Sequence, residues 1–384
     1  MEARRTDVLV VGAGPAGLAL TAALRSLDIS PLTVDRLGAG ANTSRAAVVH
    51  ARTLEVLAGI EVTPKLLERG IRVPIFRVRD RDRLLLEVDF RSLDTDYPFT
   101  LMCPQNVTEE VLLRRVRALG GNVERPVELV DLERKEIGSR VTLAAGGRRH
   151  EVCAKWVVGC DGAHSLVRRR AGVAFEGGAY DERFVLADVR MDWTLPRDEV
   201  NLFFSPDGLV VVAPLPGDRF RVVATAASVD AEIDEAFLQS LLEARGPSSN
   251  VRVREVVWSS QFHLQHRVSS SPRSGRVLLC GDAAHVHSPA GGQGMNTGIQ
   301  DAIALAAPLS HAIRTGDERG LSDWAKRRHD VARDVVTMTD RMTRAATATS
   351  PIARAARNAM LVTIGHIPAV TERLARRLAE LDYR

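Results

Sequence analysis

The chain opens on a pattern of apolar and small residues that is typical of one supersecondary unit. Residues 7–11 read DVLVV, a nearly continuous apolar run that predicts a strand buried on both faces. The glycine-rich segment 12–17, GAGPAG, comes next, and residues 18–27 are rich in Ala and Leu at helical spacing. Residues 31–34 predict a second strand, which Asp35 ends. This order predicts a strand–helix–strand unit of about 30 residues.

The pattern beyond this unit changes character twice. Up to residue 158, helical and extended segments alternate, and we predict helices at 53–57 and 108–119, two strands within 76–90 joined by a turn at Arg81-Asp82, and strands at 127–132, 141–143 and 152–158. Thr108 is expected to cap its helix. Residues 175–265 are then dominated by alternating β-branched stretches.

A strand returns at residues 276–280, and the chain reads as helical from Asp301 to its basic end. Pro308 interrupts that helical pattern. Because proline has no N–H and its ring clashes with the preceding turn, we expect Pro308 to end or kink the helix.

Composition and charge exclude several classes of protein. The 384 residues are 45% hydrophobic and 26% charged, which is typical of a globular chain and not of a disordered or fibrous one. The net charge of +4 arises from basic residues spread along the chain, so we expect no nucleic-acid partner. The four cysteines, at 103, 153, 160 and 280, form no CxxC and show no metal-ligand spacing.

The predicted location follows from segments that we do not find. The first strand begins almost at the N-terminus, which leaves no signal peptide, and no apolar run reaches the roughly 18 residues of a membrane helix. We therefore expect a soluble cytoplasmic protein with reduced thiols and no membrane contact.

The segment GAGPAG matches a dinucleotide fingerprint in its structural context. Gly12 permits the tight turn, Gly14 lets the backbone approach a pyrophosphate, and Gly17 allows the helix to pack closely on the strand. The helix N-terminus offers free N–H groups to the diphosphate. Asp35, eighteen residues after Gly17, is placed to accept hydrogen bonds from a ribose with free hydroxyls. The pattern favours FAD or NAD and leaves the choice between them open.

Two later motifs extend the fingerprint. Residues 159–168 read GCDGAHSLVR after one predicted strand, and residues 281–296 read GDAAHVHSPAGGQGMN after another. With GAGPAG, and in the same order, they resemble the three fingerprints of the single-component FAD-dependent aromatic hydroxylases, the para-hydroxybenzoate hydroxylase-like, class A flavoprotein monooxygenases. The resemblance implies an α/β fold with a Rossmann-like FAD-binding domain interleaved with a β-rich substrate domain of mixed or antiparallel sheet, and a helical C-terminus.

The resemblance also implies a division of the chain. We expect three FAD-binding parts, two substrate-domain parts and a helical region, in the order 1–75 (FAD), 76–100 (substrate), 101–174 (FAD), 175–268 (substrate), 269–320 (FAD) and 321–384 (helical).

The fingerprint and the resemblance indicate cofactor contacts along the length of FAD. Asp282 and Gln105 would contact the ribityl chain, Arg36 follows the ribose acid, and Asp161 would order the loop near the diphosphate. The complete set is Gly12, Gly14, Pro15, Ala16, Gly17, Asp35, Arg36, Arg45, Gln105, Asp161, Asp282, Pro289, Gly292, Gly294, Met295 and Asn296.

The end of the third motif has a separate implied role. Residues 291–296 would bring N–H groups and a helix N-terminus to the flavin's pyrimidine edge, which becomes anionic on reduction. Ser165 and Arg168 complete the second motif. We expect His50 and His164 to be structural and His285 and His287 not to form a metal site, and we assign no acid–base catalyst.

The reaction that the resemblance implies uses one resident and one transient cofactor. Because the chain has one dinucleotide fingerprint, FAD would be resident and NADPH or NADH would bind transiently as a co-substrate. With O2, a flavin hydroperoxide would then hydroxylate a phenolic or polycyclic, polyketide-like substrate. An epoxidase, a Baeyer–Villiger enzyme, a halogenase, a reductase or a non-catalytic FAD-binding subunit remain as alternatives, and a homodimer is left open.

The few aromatic residues of the chain are concentrated in two segments. Of 17, 14 lie within residues 76–99 and 175–262, which belong to the expected substrate domain. Strand propensity alone explains part of this enrichment. The remainder favours the hypothesis of a mainly hydrophobic pocket for a flat aromatic ligand.

Overall fold

The fold is described from a computed structural model that covers residues 4–40, 46–226, 232–348 and 350–383. The helices of this described part are α1 (Pro15–Arg25), α2 (Ala51–Ala58), α3 (Thr63–Leu67), α4 (Gln105–Ala118), α5 (Leu166–Arg170), α6 (Glu235–Arg245), α7 (Gly294–Thr315), α8 (Arg319–Ala346), α9 (Pro351–Gly365) and α10 (Pro368–Leu378). Short 3₁₀ turns occupy Gly281–Ala283, Ala290–Gly292 and Leu381–Tyr383.

The strands of the described residues pair in three sheets. Their bounds are β1 (Arg4–Val11), β2 (Leu32–Val34), β3 (Val48–Val49), β4 (Ile71–Val73), β5 (Ile75–Asp80), β6 (Arg83–Asp89), β7 (Thr100–Met102), β8 (Glu128–Arg134), β9 (Ser139–Ala145), β10 (Arg148–Gly159), β11 (Phe175–Asp192), β12 (Glu199–Ser205), β13 (Gly208–Pro214), β14 (Arg219–Ala226), β15 (Arg252–Ser269), β16 (Arg273–Ser274), β17 (Val277–Leu279) and β18 (His285–Val286).

The first sheet is built on four parallel strands in the order β2-β1-β10-β17, and β8, β9 and β16 extend it in antiparallel fashion. β1 is apolar because both of its faces are covered: Val8 and Val10 join a core with α1, α4 and α7, whereas Leu9 and Val11 join a core on the opposite face. The predicted strand–helix–strand unit is therefore confirmed, with helix α1 starting at Pro15.

The second sheet has the order β18-β15-β11-β14-β13-β12-β5-β6 among the described strands and is antiparallel apart from the β5–β12 pair. Helix α6 packs on one face through Leu238, Leu241 and Leu242. Helices α9 and α10 pack against β6. A small sheet, β3-β7-β4, completes the architecture. The fold class is the one expected; the domain boundaries stay a prediction.

Two predicted helix boundaries are wrong. Thr108 does not cap α4, because the helix begins at Gln105 with Pro104 before it, and the buried Thr108 hydroxyl faces Cys103 and Pro104. Pro308 does not end a helix either, since α7 begins seven residues before Asp301, at Gly294, and continues through Pro308 to Thr315.

The physical reason for the continuous α7 is its packing. Leu305 and Leu309, on either side of Pro308, are fully buried in the core shared with α1 and α8. The carbonyl that loses its helical partner belongs to Ala304, an exposed residue that water can reach. Tertiary packing therefore outweighs the local cost of the proline.

The predicted turn at Arg81-Asp82 between β5 and β6 is confirmed, and Arg81 adopts a left-handed conformation there with φ 54°. Within the described ranges, none of the helices has both the length and the apolar character that a membrane span requires.

Candidate cofactor site

The carboxyl ends of four adjacent parallel strands bring the three sequence motifs together. β1 leads into Gly12, β2 into Asp35, β10 into Cys160-Asp161, and β17 into Cys280-Gly281. Open α/β sheets bind their ligands in the crevice outside these strand ends. The sheet order therefore turns three segments that are distant in sequence into one site.

The turn between β1 and α1 requires two of its glycines for steric reasons. Gly12 has φ +99°, and a Cβ there would lie 2.3 Å from the Cys160 carbonyl oxygen. A Cβ on Gly17 would lie 1.9 Å from the carbonyl oxygen of Gly12. Both positions exclude any side chain because backbone approaches backbone.

Gly14 differs from its two neighbours. It has ordinary extended geometry, and no heavy atom lies within 4 Å of the position a Cβ would take. Gly14 is also the N-cap of α1, so no side chain satisfies the first N–H groups, and Pro15 occupies the first turn. An open cradle at an uncapped helix N-terminus suits an anionic diphosphate.

Asp35 lies beside this turn and is held by its backbone. Its Oδ2 accepts a hydrogen bond from Ala13 N at 2.6 Å, and its Oδ1 accepts one from Leu37 N at 2.8 Å. Arg125 donates to the Ala13 carbonyl oxygen at 2.9 Å, and its Nη2 is 3.9 Å from Asp35 Oδ2. Arg36, which follows Asp35, is exposed.

Sequence reasoning missed Arg125, which lies in the connection between α4 and β8 outside every motif. Its Nε is buried and has no hydrogen-bond partner among the described residues. An unpartnered cationic donor beside the Asp35 carboxylate and the Gly14 cradle fits a ligand with phosphate and ribose oxygens. An arginine before a proline gave no sequence signal.

Gln105 begins α4 and contacts the segment that precedes β3. Its Oε1 accepts from Ala46 N at 3.2 Å, and its Nε2 donates to Glu109 at 2.8 Å. Arg45, the other predicted contact in this region, lies outside the described residues.

The second motif forms a hydrogen-bonded loop that reaches the third. Asp161 Oδ2 accepts from the N–H groups of Leu166 and Val167, and Ser165 caps α5 by accepting from Arg168 N. Arg168 is buried and donates to the carbonyl oxygens of Ala163 and Ala283, both at 2.8 Å. Arg168 therefore joins the two motifs.

The Asp161 carboxyl lies in the second motif with only one of its two oxygens hydrogen-bonded to the loop. Its Oδ1 is buried without a hydrogen-bond partner among the described residues. Burial raises the pKa of Asp161 above its ordinary value, although the hydrogen bonds that it accepts oppose this shift. An added donor at this oxygen would favour the ionised form.

The third motif starts with a tight turn against α1. Gly281 has φ +61°, and a Cβ there would lie 3.3 Å from the Cβ of Ala16 and 3.6 Å from the Cα of Gly298. Asp282 follows with an exposed side chain in the turn Gly281–Ala283. The predicted ribityl contact thus lies beside the first turn of α1.

Behind this turn is a buried ionic cluster. Asp301 bonds to His285 Nε2 and Arg328 Nε, both at 2.6 Å, and accepts from Gly281 N at 3.2 Å. Burial alone would raise the pKa of Asp301, but the Arg328 charge and His285 outweigh it and lower the pKa below its usual value. The His285 ring is thus held in this cluster by its hydrogen bond to Asp301.

The loop before α7 is shaped by two left-handed glycines and one asparagine. Gly291 and Gly292 have φ of 77° and 68°. The buried Asn296 donates to the carbonyl oxygens of Val48 and Gly292 and accepts from His50 N at 2.8 Å. The Asn296 side chain therefore holds the loop against β3 and the start of α2.

The other predicted residues of this loop surround the start of α7. Pro289 is exposed, Met295 packs partly on the core, and Gly294 is the first residue of the helix. Its N-cap, Gln293, directs its side-chain amide to the carbonyl oxygens of Gly291 and Leu378. The first N–H groups of α7 thus have no side-chain cap from Gln293.

His50 holds the loop from the opposite side. Its Nε2 lies 2.7 Å from the Gly291 carbonyl oxygen and 3.1 Å from Gln293 Nε2. Complete burial lowers the pKa of His50 to about 4, so the ring is neutral at pH 7. Burial also lowers the pKa of His287 to about 4. The exposed His164 lies outside this network.

These residues fit FAD. Two helix N-termini without side-chain caps, the cradle at Gly14, the carboxylates of Asp35 and Asp282, and the orphaned Arg125 Nε are suited to diphosphate and sugar hydroxyls. The individual contacts with the cofactor stay predictions.

Comparison with known proteins decides the family. A family model described as "FAD binding domain" matches residues 5–339, which is most of the chain. Among curated relatives, the 6-methylpretetramide 4-monooxygenase of Streptomyces rimosus is 41% identical over 320 residues. This chain belongs to the FAD-dependent aromatic hydroxylase family. The resemblance that the three motifs carry is confirmed.

Two solved structures of this family show the same fold. The p-nitrophenol 4-monooxygenase of Pseudomonas putida superposes with a TM-score of 0.90 at 25% identity, covering 100% of this chain and 98% of that one. The anhydrotetracycline hydroxylase of Streptomyces rimosus gives a TM-score of 0.83 at 31% identity, over 98% and 76% of the two chains. The alignment with the 6-methylpretetramide 4-monooxygenase includes 82% of this chain but spans only 57% of the length of that relative.

The aromatic residues of this hydroxylase-family fold lie on both faces of the second sheet. On the face covered by α6, the Trp193 ring contacts the rings of Phe203 and Phe220 as ordinary core. This part of the aromatic enrichment therefore does not line a ligand pocket.

Phe184, Phe204 and Leu209 form a cluster on the opposite face, with Phe262 stacked on Phe184 at a centroid distance of 6.1 Å. Val78, Val211 and Leu361 continue this cluster into a second one, which includes Val48 and Leu378. Val48 would touch a Cβ on Gly292. The aromatic cluster is thus continuous with the loop before α7.

Proposed function

We propose that this protein is an FAD-dependent monooxygenase that uses NADPH or NADH and O2 to hydroxylate an aromatic substrate of the phenolic or polycyclic polyketide class. The observation that carries this function is the position of the aromatic cluster Phe184, Phe204 and Phe262, on the sheet face that reaches the loop at Gly292. The names of the relatives support it, since they include monooxygenases of a pretetramide and of a nitrophenol.

The chain's own residues would hold FAD along the carboxyl ends of the parallel strands. Gly14 and the α1 N-terminus receive the diphosphate, Asp35 accepts from the adenosine ribose, and Asp282 with Gln105 contacts the ribityl hydroxyls. Once bound, FAD supplies the redox chemistry that links the nicotinamide to oxygen. The protein therefore has to bind FAD, orient the substrate and shield the reacting atoms from water.

The charge that develops on the pyrimidine edge would be stabilised without a charged side chain. The N–H groups at the start of α7 point outward from the loop end, and the helix dipole is positive there. His50 and His287 are neutral at pH 7, because burial lowers the pKa of each to about 4. Fixed dipoles of this kind need no reorganisation during a reaction.

The substrate would lie against the aromatic cluster at its half-buried ring, Phe262, because Phe184 and Phe204 are themselves buried. Phe184 and Phe262 are stacked with an interplanar angle of 27°, and the guanidinium of Arg357 lies 4.4 Å from the centroid of the Phe204 ring. A flat aromatic ligand gains from edge or face contacts with such rings, and an apolar wall excludes water from the reacting centre.

The remaining parts of the proposed function concern partners and location. NAD(P)H would bind transiently, as expected for a chain with one dinucleotide fingerprint. We place the protein in the cytoplasm, where the thiols of its four cysteines would stay reduced. Analytical sedimentation would show whether the protein forms a homodimer.

The decisive experiment measures NADPH and oxygen consumption by the purified yellow holoprotein against a panel of phenols and aromatic polyketides. With ¹⁸O2, we expect one labelled oxygen atom in a hydroxylated product. NADPH oxidation with a reduced product and no oxygen uptake would instead identify a reductase. Failure to oxidise NADPH or NADH with any panel member would favour a non-catalytic FAD-binding subunit.

A matched pair of variants tests the substrate surface. Phe262→Leu removes a ring from the aromatic cluster, and Phe237→Leu removes one that packs on the α6 side. We expect the first to raise KM for an accepted aromatic by about fivefold, from about 1 kcal/mol of lost ring contact, and the second to leave KM unchanged. Equal effects would contradict the assigned binding face.

A further inference from the structure

Glu380 occupies a position that few glutamates take. It follows α10 by two residues, its relative exposure is 0%, and its backbone adopts a left-handed conformation with φ 60°. Glutamate is rarely fully buried without a charge partner, and a non-glycine residue in this conformation is strained. The surrounding structure must therefore hold Glu380 in place.

The Glu380 carboxyl is hydrogen-bonded to α7. This helix follows residues 291–293, which we call the flavin-facing loop. Gln300 of α7 donates to its Oε2 through a short hydrogen bond, and its Oε1 lies 3.1 Å from the Thr297 hydroxyl of the same helix. Gln300 also donates to the Thr53 hydroxyl of α2 at 3.0 Å. One carboxyl thus connects the C-terminal segment with two helices.

Full burial favours a neutral carboxylic acid, since Glu380 forms no ion pair among the described residues, and its hydrogen bonds can accommodate the neutral form. The single hydroxyl proton of Thr297 has two acceptors within 3.1 Å, the Gln293 carbonyl oxygen and Glu380 Oε1. When Thr297 donates to Gln293, the contact with Glu380 requires a proton on Glu380 Oε1. The acid then donates to Thr297 and accepts from Gln300, and all three side chains are satisfied.

The neighbours of Glu380 touch the flavin-facing loop itself. The Leu378 carbonyl oxygen accepts from Gln293 Nε2 at 3.1 Å, and the Leu378 side chain would lie 3.3 Å from a Cβ on Gly291. The Ala379 carbonyl oxygen accepts from Arg52 N at 3.1 Å. Residues 378–380 therefore support the loop from behind.

We propose that Glu380 is a positioning residue for FAD, which in its neutral form locks residues 378–380 onto α7 and so fixes the loop Gly291–Gln293 at the cofactor. This role is independent of the substrate and of the reaction, because it concerns how the loop is held. Glu380 itself does not contact the reacting atoms.

The electrostatic surroundings agree with a proton on this acid near pH 7. Burial raises the pKa of Glu380 to about 8, a shift that the hydrogen bonds from Thr297 and Gln300 and the charge of Arg328 on α8 only partly oppose. The anionic Asp301 on α7 also raises it. Tyr383 is the other titratable group that senses Glu380, from the same C-terminal segment.

The sign of the pH dependence follows from this upward shift. A group with a raised folded-state pKa contributes stability that is fully present below its unfolded value, about 4.3, and that is lost as the pH rises to about 8. Above that pH the site holds a buried carboxylate that has no ion-pair partner among the described residues, and the loop should loosen. FAD binds the folded protein, so its affinity is expected to fall only as the pH rises through about 8, where Glu380 ionises.

The test titrates FAD into apoprotein between pH 6 and 9.5 and follows quenching of flavin fluorescence. Glu380→Gln keeps one donor and one acceptor and cannot ionise, so we expect its dissociation constant to match the wild type within about twofold at pH 6.5. At pH 9.5 the wild type should bind FAD about tenfold more weakly than Glu380→Gln. The ratio of the two dissociation constants cancels the effects of all other groups that titrate in both proteins.

Two further variants complete the design. Glu380→Ala should bind FAD at least about tenfold more weakly than Glu380→Gln at pH 6.5, because it lacks both contacts. Glu372→Gln changes an exposed acid on α10 and should follow the wild type at every pH. If Glu380→Ala does not fold, the ratio of wild type to Glu380→Gln remains decisive.

A ratio that stays constant from pH 6 to 9.5 would overturn the role of Glu380, and so would a Glu380→Gln protein that binds FAD as weakly as Glu380→Ala at pH 6.5. Either result would leave hydroxylation untouched. Conversely, a holoprotein without hydroxylase activity that still shows the pH-dependent ratio would overturn the proposed reaction alone.

Discussion

The two glycine-rich turns of the cofactor site are held in different ways. In the turn at residues 12–17, backbone atoms lie 1.9 to 2.3 Å from an added Cβ: the Gly12 carbonyl oxygen excludes one at Gly17, and the Cys160 carbonyl oxygen excludes one at Gly12. In the loop at residues 289–296, position is set by side-chain hydrogen bonds, those of Asn296 within the loop and those of His50 from far along the chain. The first depends on backbone packed against backbone, and the second on hydrogen bonds of side chains.

This difference shows why one turn can be recognised in almost any sequence and the other only with its neighbours. A steric requirement for glycine acts at each position separately. A loop that depends on His50, Gln293 and the Leu378 carbonyl oxygen requires the whole fold before its hydrogen bonds exist. Substitutions should therefore separate the two turns.

The largest expected effect separates glycines within the first turn. Gly17→Ala forces a Cβ into the Gly12 carbonyl and should destabilise the apoprotein by on the order of 4 kcal/mol in urea unfolding. Gly14→Ala enters open space and should change stability by only about 0.3 kcal/mol, while weakening FAD binding. Similar losses of stability in both variants would contradict the assigned difference.

The second effect is a pH dependence of the loop. Because burial lowers the pKa of His50 to about 4, the ring contributes stability that is present above its unfolded value near 6.5 and is lost as the pH falls toward 4. This loss should reach about 3 kcal/mol at pH 4. Urea unfolding of His50→Gln should show a correspondingly smaller decline, whereas the exposed His164→Gln should keep the wild-type slope.

The third effect concerns the asparagine that binds the loop to β3. Asn296→Ala leaves Val48 O, Gly292 O and His50 N without their partner, and should cost about 2 kcal/mol in unfolding free energy. The control is Asn106→Ala, which changes an exposed residue on α4. An Asn296→Ala protein as stable as this control would show that the loop is held by its own backbone.

The smallest effect concerns the ribose acid beside the first turn. Asp35→Asn can still accept from Ala13 N but loses its charge and one acceptor, so the affinity for FAD should fall by about tenfold, or about 1.4 kcal/mol. Calorimetric titration of apoprotein measures this change. Asp323→Asn, an exposed change on α8, should bind FAD like the wild type.

Much of the site could be predicted because its signals are local. The apolar strand before Gly12 and the acid at Asp35 indicate a dinucleotide site, and motif order indicates the family. The sequence could not reveal Arg125 or Glu380, since each is important only through contacts that the fold creates with distant residues. Neither residue has a neighbouring pattern that would distinguish it from a solvated side chain.

The two wrong predictions have the same origin. Thr108 has the residue type of an N-cap, and Pro308 that of a helix terminator, so local propensity favours a boundary at each. In the structure both lie inside helices, because Thr108 is buried near Cys103 and the turn around Pro308 packs Leu305 and Leu309 into the core. Local propensities of this size are smaller than the energy of burying such side chains.

By itself, the sequence determined the strand–turn–helix at the first fingerprint, the two further motifs and the family, since backbone sterics and apolar periodicity act over a few residues. Only the tertiary structure decided which aromatic rings line the face near Gly292 and which support α6, because neighbouring strand residues alternate between faces. It also decided that residues 378–380 hold the loop at Gly291, a contact made by burial and hydrogen bonds between segments almost ninety residues apart.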